Sequence, residues 1–186
     1  TWWYLNKITS DLGINAEIHG YYVGHSCFDE WIALYKNDLS PFEGSESSRQ
    51  SYRYISVNGA NYTSSKRVSG GEYGNQEYRD DWFDDLTTGD WDIIAFQQGA
   101  HQSPQWTYWQ NGDELVSLIK KHAGANTVIA FNNTWTPSIT SSSIPDDSNG
   151  ACSNTLEGQM LWQTMNNDNC KRFMNLTGIN TVSPNG

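Results

Sequence analysis

Apolar and polar positions along the chain follow two periods, one helical and one typical of strands. Apolar residues three and four positions apart predict helices over residues 1–12, 28–35, 78–86, 113–122 and 156–174. Alternating or continuous apolar runs predict strands over residues 14–24, 52–57, 62–68, 92–96, 127–131 and 179–182. The stretch 136–155 is rich in Ser, Pro, Asp and Asn and predicts a long loop.

Two of the predicted strands, 92–96 and 127–131, are continuously apolar rather than alternating. Such runs are typical of strands buried on both faces of a sheet. Because helices alternate with these strands, we expect an α/β sandwich built on a mainly parallel sheet. The chain has 186 residues with no internal repeat or linker, which indicates a single domain over residues 1–186.

Two short signals refine the predicted elements. Asn58-Gly59 lies between two strand-like runs and favours a tight hairpin if the register allows it. Ser26 followed by Asp29 resembles a capping box at the start of the second helix. The same Ser26 follows Gly24 and could instead be a nucleophile at a strand–helix turn. However, position 28, where the nucleophile elbow needs glycine, is Phe28.

Charge and composition narrow the classes of partner. The net charge of −10 disfavours binding to nucleic acid or to anionic membranes, and no apolar run approaches the ~18 residues of a membrane span. Charged residues form only 17% of the chain, whereas it has 9 Trp and 10 Tyr. Uncharged polar groups with aromatic rings suit sugar recognition, and they equally suit the neutral surface of a secreted protein.

Three segments follow predicted strands of the parallel sheet, namely 24–26, 97–103 and 132–135. Ligands bind at the carboxyl ends of the strands in such sheets, so we expect these segments to meet around a pocket. In the second segment, Gln98 and His101 either line a solvated pocket or satisfy loop backbone groups. In the pocket, the Gln98 amide could donate to an oxyanion.

Aromatic residues and cysteines supply the remaining candidates. Gln97 with Trp106, Trp109 and Trp135 could bind a sugar, although packing in the core explains the tryptophans equally well. Cys152 and Cys170 could close a disulfide ring, worth about 3 kcal/mol on the loop-entropy account. Their spacing predicts no metal site, and we expect no cofactor.

Three segments of the chain together resemble a branch of the SGNH (GDSL-type) hydrolases. They are residues 24–31 (GHSCFDEW), 91–101 (WDIIAFQQGAH) and 133–135 (NTW). The resemblance implies a flavodoxin-like three-layer α/β/α fold and ester hydrolysis without a metal, in several members on carbohydrates. It matches Gly24 to the second motif of the family and the turn Gln98-Gly99-Ala100-His101 to the third, with His101 where Asn is common.

The first motif of that family, with the nucleophilic Ser, and the last, with the Asp/His pair, have no match between Thr1 and Gly186. We therefore expect residues 1–186 to be an internal portion of a longer chain, with a missing segment or a partner chain completing the sheet. The other explanation is a truncated or diverged protein that keeps the pocket for binding but has lost the chemistry. The resemblance implies a secreted or periplasmic deacylase that acts on a carbohydrate or another small ester. The alternative is a secreted glycan-binding or assembly protein on the same fold.

Overall fold

The computed structural model describes residues 2–24, 26–38, 51–57, 59–64, 76–100, 102–134 and 155–183. The chain divides into two compact units, which we describe one at a time. The first unit comprises residues 1–24 and 38–82, and the second comprises residues 25–37 and 83–186.

The first unit contains an antiparallel sheet. Helix α1 (Trp2–Asp11) precedes the strands β1 (Glu17–Val23), β2 (Ser51–Val57) and β3 (Ala60–Ser64), which lie in the order β1-β2-β3. The pairing of Val57 with Ala60 fixes the register of the β2–β3 hairpin. Gly59 in its turn has a φ of +78°, a conformation that favours glycine, so the hairpin signal is confirmed.

The position of β1 differs from the sequence prediction, which put residues 14–24 in the parallel sheet. β1 pairs antiparallel with β2 along its whole length, from Glu17 opposite Val57 to Val23 opposite Ser51. Its buried residues include Ile18, Gly20 and Val23, and the residues between them are more exposed. The alternation over residues 17–21 is typical of an antiparallel sheet with one solvated face, whereas the buried Val23 lies on the other side of the strand.

The second unit is an α/β arrangement with a three-stranded parallel sheet. Strands β4 (Ile93–Phe96), β5 (Val128–Asn132) and β6 (Thr181–Ser183) lie in the order β4-β5-β6. The helices α2 (Phe28–Lys36), α4 (Gly112–His122) and α5 (Leu156–Thr177) belong to this unit, as does the C-terminal part of α3 (Gln76–Thr88). A 3-10 helix, Trp106–Trp109, lies between β4 and α4.

Aromatic side chains form the core between the helices and one face of the parallel sheet. Phe96 and Phe131, adjacent in register, contact Phe28 from α2 and Phe173 from α5, with ring centroids 5.1–6.4 Å apart. Trp109 packs against Phe28, Phe131 and Phe173 and is fully buried. Edge-on and tilted contacts of this kind stabilise a core beyond the area that they bury.

The opposite face of the parallel sheet is exposed, which corrects the prediction that residues 92–96 and 127–131 are buried on both faces. Ile93 is 63% exposed and Val128, its register partner, is 42% exposed. Ala95 is exposed as well. No layer formed by the described residues buries these side chains.

The helix ends show which side chains satisfy the free backbone groups. The capping interaction of α2 lies one residue later than predicted, since the Glu30 carboxylate accepts from the backbone N–H of Cys27 at 2.9 Å. Helix α5 begins after Thr155, whose hydroxyl accepts from the N–H of Gly158 at 3.0 Å. No described helix is both long and apolar enough to span a membrane.

Candidate functional site

Side chains and backbone from the three predicted segments meet at the carboxyl edge of the parallel sheet. Asn132, at the end of β5, donates from Nδ2 to Oε1 of Gln97, just after β4, at 2.8 Å. A Cβ atom on Gly99 would lie 3.1 Å from the carbonyl oxygen of Ser26. The structure therefore brings together Ser26, the turn after β4 and the end of β5, as the topology predicts.

Gln98 lies inside this edge rather than on its surface. Its side chain is fully buried, and its Nε2 donates to the carbonyl of Tyr108 at 2.6 Å. Its Oε1 accepts from the N–H of Gly99 at 3.0 Å. Of the two roles that the sequence left open for Gln98, these contacts match the second, in which the amide satisfies loop backbone groups.

The loop from residue 99 to residue 109 is held by further hydrogen bonds. The carbonyl oxygen of Ser103 accepts from Trp109 Nε1 at 3.0 Å and from Asn169 Nδ2 at 2.9 Å. The hydroxyl of the fully buried Ser103 donates to the carbonyl of Ala100 at 2.7 Å. His101, the second candidate oxyanion donor, belongs to this loop but lies outside the described residues, so its role stays a prediction.

Two of the tryptophans that could bind a sugar, Trp106 and Trp109, pack against other side chains. Trp109 is fully buried, which corresponds to the core alternative and corrects its assignment as a residue that contacts substrate. Trp106 stacks on Trp109 with an interplanar angle of 8°, and the Arg172 guanidinium carbon lies 3.7 Å from the centroid of a Trp106 ring. Trp135 lies outside the described residues.

A cluster of side-chain amides behind β5 is a feature that the sequence analysis missed. Oδ1 of Asn167 accepts from Nδ2 of Asn133 and from Nε2 of Gln163, each at 3.1 Å. The fully buried Asn166 donates from Nδ2 to the carbonyl of Thr134 at 3.3 Å. In the sequence, the run Asn-Asn-Asp-Asn at residues 166–169 was the available sign of this cluster. Its hydrogen bonds hold α5 against the end of β5.

Ser26 and Cys27 carry the nucleophilic groups of this turn. The Ser26 hydroxyl is buried and accepts from the indole N–H of Trp31 at 3.1 Å. Burial raises the pKa of the Cys27 thiol, and the Glu30 charge acts in the same direction. Cys27 therefore remains a thiol at neutral pH and is a poor nucleophile, because the thiolate is the reactive form.

Gly24, Cys152 and Cys170 are the remaining residues that the sequence proposed for the site or for a disulfide. Gly24 is buried at the end of β1 and is the last residue of the first unit's opening segment, whereas Gln98 belongs to the second unit. Cys170 is buried and forms no disulfide with another described residue, and burial raises the pKa of its thiol. Cys152 lies outside the described residues, so the disulfide stays a prediction. Among the described residues, no group of three His, Cys, Asp or Glu side chains could hold a metal ion.

Comparison with known proteins finds a similar fold in a solved structure. No protein-family profile matches the chain, and no curated protein matches it. The crystal structure of a DUF4886 family protein from Bacteroides uniformis aligns with a TM-score of 0.68 and 19% sequence identity. The alignment covers 99% of this chain and 61% of that chain, so this chain spans less than two thirds of its length. At this identity the likeness shows that the two chains share a fold, and nothing about their activity.

Proposed function

We propose that the chain is part of an ester hydrolase that acts on a carbohydrate or another small ester by acyl transfer. The observation that carries the proposal is that two close contacts, Gly99 with the Ser26 carbonyl and Gln97 with Asn132, both lie at the carboxyl edge of the parallel sheet. Ligands bind at this edge in open α/β sheets. The resemblance to SGNH hydrolases through residues 24–31, 91–101 and 133–135 supplies the reaction class.

In the proposed reaction, a serine hydroxyl attacks the ester carbonyl while a histidine takes its proton, and the same histidine then protonates the leaving alcohol. An aspartate orients that histidine. Backbone N–H groups and the side chain of His101 would stabilise the oxyanion. Neither Ser26 nor Cys27 suits the role of nucleophile, since the Ser26 hydroxyl is buried against Trp31 and the Cys27 thiol resists ionisation.

The contacts of the tryptophans favour this proposal over the glycan-binding module. A module that binds sugars on flat rings needs exposed ring faces, but Trp109 is fully buried, and Trp106 stacks on Trp109 and also contacts the Arg172 guanidinium. The enzyme needs no such platform. The substrate pocket that we propose lies at the strand ends instead.

We also propose that a further segment or partner chain adds a second helical layer over the exposed sheet face, which would complete the flavodoxin-like three-layer sandwich. The uncovered Ile93 and Val128 support this proposal, because apolar strand residues are usually covered in parallel sheets.

The esterase proposal is tested on the natural protein that contains this sequence, with nitrophenyl acetate and partly acetylated oligosaccharides as substrates. We expect His101→Ala to lower kcat by about 10²–10³-fold, the typical effect of losing one oxyanion donor. The matched control is His122→Gln, at the end of α4 and near the amino end of β5, which should retain activity.

Covalent labelling with a fluorophosphonate reagent tests the same proposal independently. We expect it to label one serine and to abolish hydrolysis in parallel, with peptide mapping identifying the nucleophile. Hydrolysis that persists at full rate in His101→Ala, together with no serine labelling in the active protein, would overturn the serine mechanism.

A further inference from the structure

Gln97 and Asn132 form a pair of side-chain amides at the tips of two adjacent parallel strands. The register pairs Phe96 with Phe131, so the next residues along each strand are neighbours. Phe96 and Phe131 face the helices. Because side chains alternate along a strand, Gln97 and Asn132 lie on the opposite face, in line with Ala95 and Ala130.

One hydrogen bond joins the two amides and leaves further groups available. Asn132 Nδ2 donates to Gln97 Oε1 at 2.8 Å, and the pair has no other side-chain hydrogen bond among the described residues. The second N–H of Asn132, its oxygen and the NH₂ group of Gln97 remain. If both amides were turned over, the pair would still present donors beside an acceptor, so this property does not depend on the amide orientations.

The pair is accessible at the edge of the sheet and has no charged partner among the described residues. Gln97 is exposed and Asn132 is half-buried. Ala95 and Ala130, register partners one step back along each strand, carry only methyl groups. Within the part of the chain that the structure describes, no charged side chain forms an ion pair or hydrogen bond with either amide.

An adjacent donor and acceptor select among ligand classes. An anion would be attracted by the N–H groups and repelled by the amide oxygen, and a cation would meet the reverse. A neutral hydroxyl both donates and accepts, so vicinal hydroxyls satisfy both groups at once. The net charge of −10 also disfavours anionic ligands.

We propose that the Gln97–Asn132 amide pair binds the neutral, hydroxyl-rich alcohol portion of the substrate, a carbohydrate. This inference rests on the proposed ester hydrolase and names its substrate class. The pair is a specificity element rather than part of the acyl-transfer machinery.

The test compares two esters in the natural protein and in the variants Gln97→Ala and Asn132→Ala. The substrates are partly acetylated xylo-, cello- and manno-oligosaccharides and nitrophenyl acetate, which has no hydroxyl group. We expect the ratio of kcat/KM for the best oligosaccharide to kcat/KM for nitrophenyl acetate to fall about five- to tenfold in each variant, as for the loss of a hydrogen bond. The control Asn126→Ala, an exposed amide just before β5, should leave the ratio unchanged.

The outcomes separate this inference from the proposed function. An active protein whose substrate ratio is the same in all variants overturns the amide pair and leaves the hydrolase standing. A protein that hydrolyses neither ester overturns the hydrolase, and calorimetric titration with the unacetylated oligosaccharides then tests the pair alone. Binding that weakens several-fold in Gln97→Ala and Asn132→Ala but not in Asn126→Ala supports the pair, and the absence of binding overturns it.

Discussion

Two neighbouring residues, Gln97 and Gln98, have opposite roles because they follow a strand in which side chains alternate. Phe96 points into the aromatic core, so Gln97 points away from it and Gln98 returns to the helix side, where it is fully buried. The sequence identified both amides as candidates. It did not separate them, because the continuous run of apolar residues 93–96 hides which face is covered by helices.

At this scale we predict that Gln98→Met destabilises the protein by about 2–4 kcal/mol. Methionine keeps the volume of the side chain but leaves the Tyr108 carbonyl and the Gly99 N–H buried without their partner, and each such group costs about 1–3 kcal/mol. Urea unfolding monitored by tryptophan fluorescence measures the change. Gln97→Met, one residue earlier and exposed, is the matched control and should change stability by less than about 0.5 kcal/mol. Equal effects in the two variants would contradict the buried role of Gln98.

Individual elements were predicted well where one face is apolar and poorly where polar groups are buried. Helix α4 spans residues 112–122 against the predicted 113–122, because Leu115, Val116 and Ile119 form a continuous buried stripe. Helix α5 was also expected, but its inward-facing Asn166 and half-buried Asn167 give no periodic signal. Their partners in the turn after β5 are distant in sequence, so only the structure shows that cluster.

The first residue of α4 gives a prediction for an element. A Cβ atom on Gly112 would lie 2.4 Å from Cε2 of Phe173 and 2.8 Å from Cδ2 of Phe28, two rings of the packed core. We expect Gly112→Ala to destabilise the protein by about 1–3 kcal/mol, since the rings must move despite the better helix propensity of alanine. Ser117→Ala, on the exposed side of the same helix, should stay within about 0.5 kcal/mol. Thermal and urea unfolding of both variants measure these changes. If Gly112→Ala leaves the free energy of unfolding unchanged, the rings of Phe28 and Phe173 move aside at little cost, and the prediction is wrong.

At the scale of the whole molecule, the sequence predicted the α/β class but not the division of strands between two sheets. β4, β5 and β6 are parallel, and each is connected to the next by a helix-containing segment long enough for the crossover that parallel strands need. A helix, α2, also lies between β1 and β2 along the chain, yet these two strands pair antiparallel. A helix between two strands therefore does not decide their direction, and the alternation of apolar residues in β1, in contrast to the continuous runs of β4 and β5, was the available local sign.

Substitutions on the exposed face of the parallel sheet test whether a third layer covers it. If a further segment or partner chain covers this face in the natural protein, Ile93→Lys and Val128→Lys would bury a charge. Each variant should then lose about 2–4 kcal/mol of stability in urea unfolding. If the face is solvated, neither change should matter by more than about 0.5 kcal/mol. Leu156→Lys is the matched control, since Leu156 is 66% exposed against 63% for Ile93 and lies on α5, away from the sheet. Ile93 and Leu156 have similar starting exposures, so a loss of about 2–4 kcal/mol in Ile93→Lys but not in Leu156→Lys exceeds the roughly 1 kcal/mol span of strand propensities and supports a layer over Ile93.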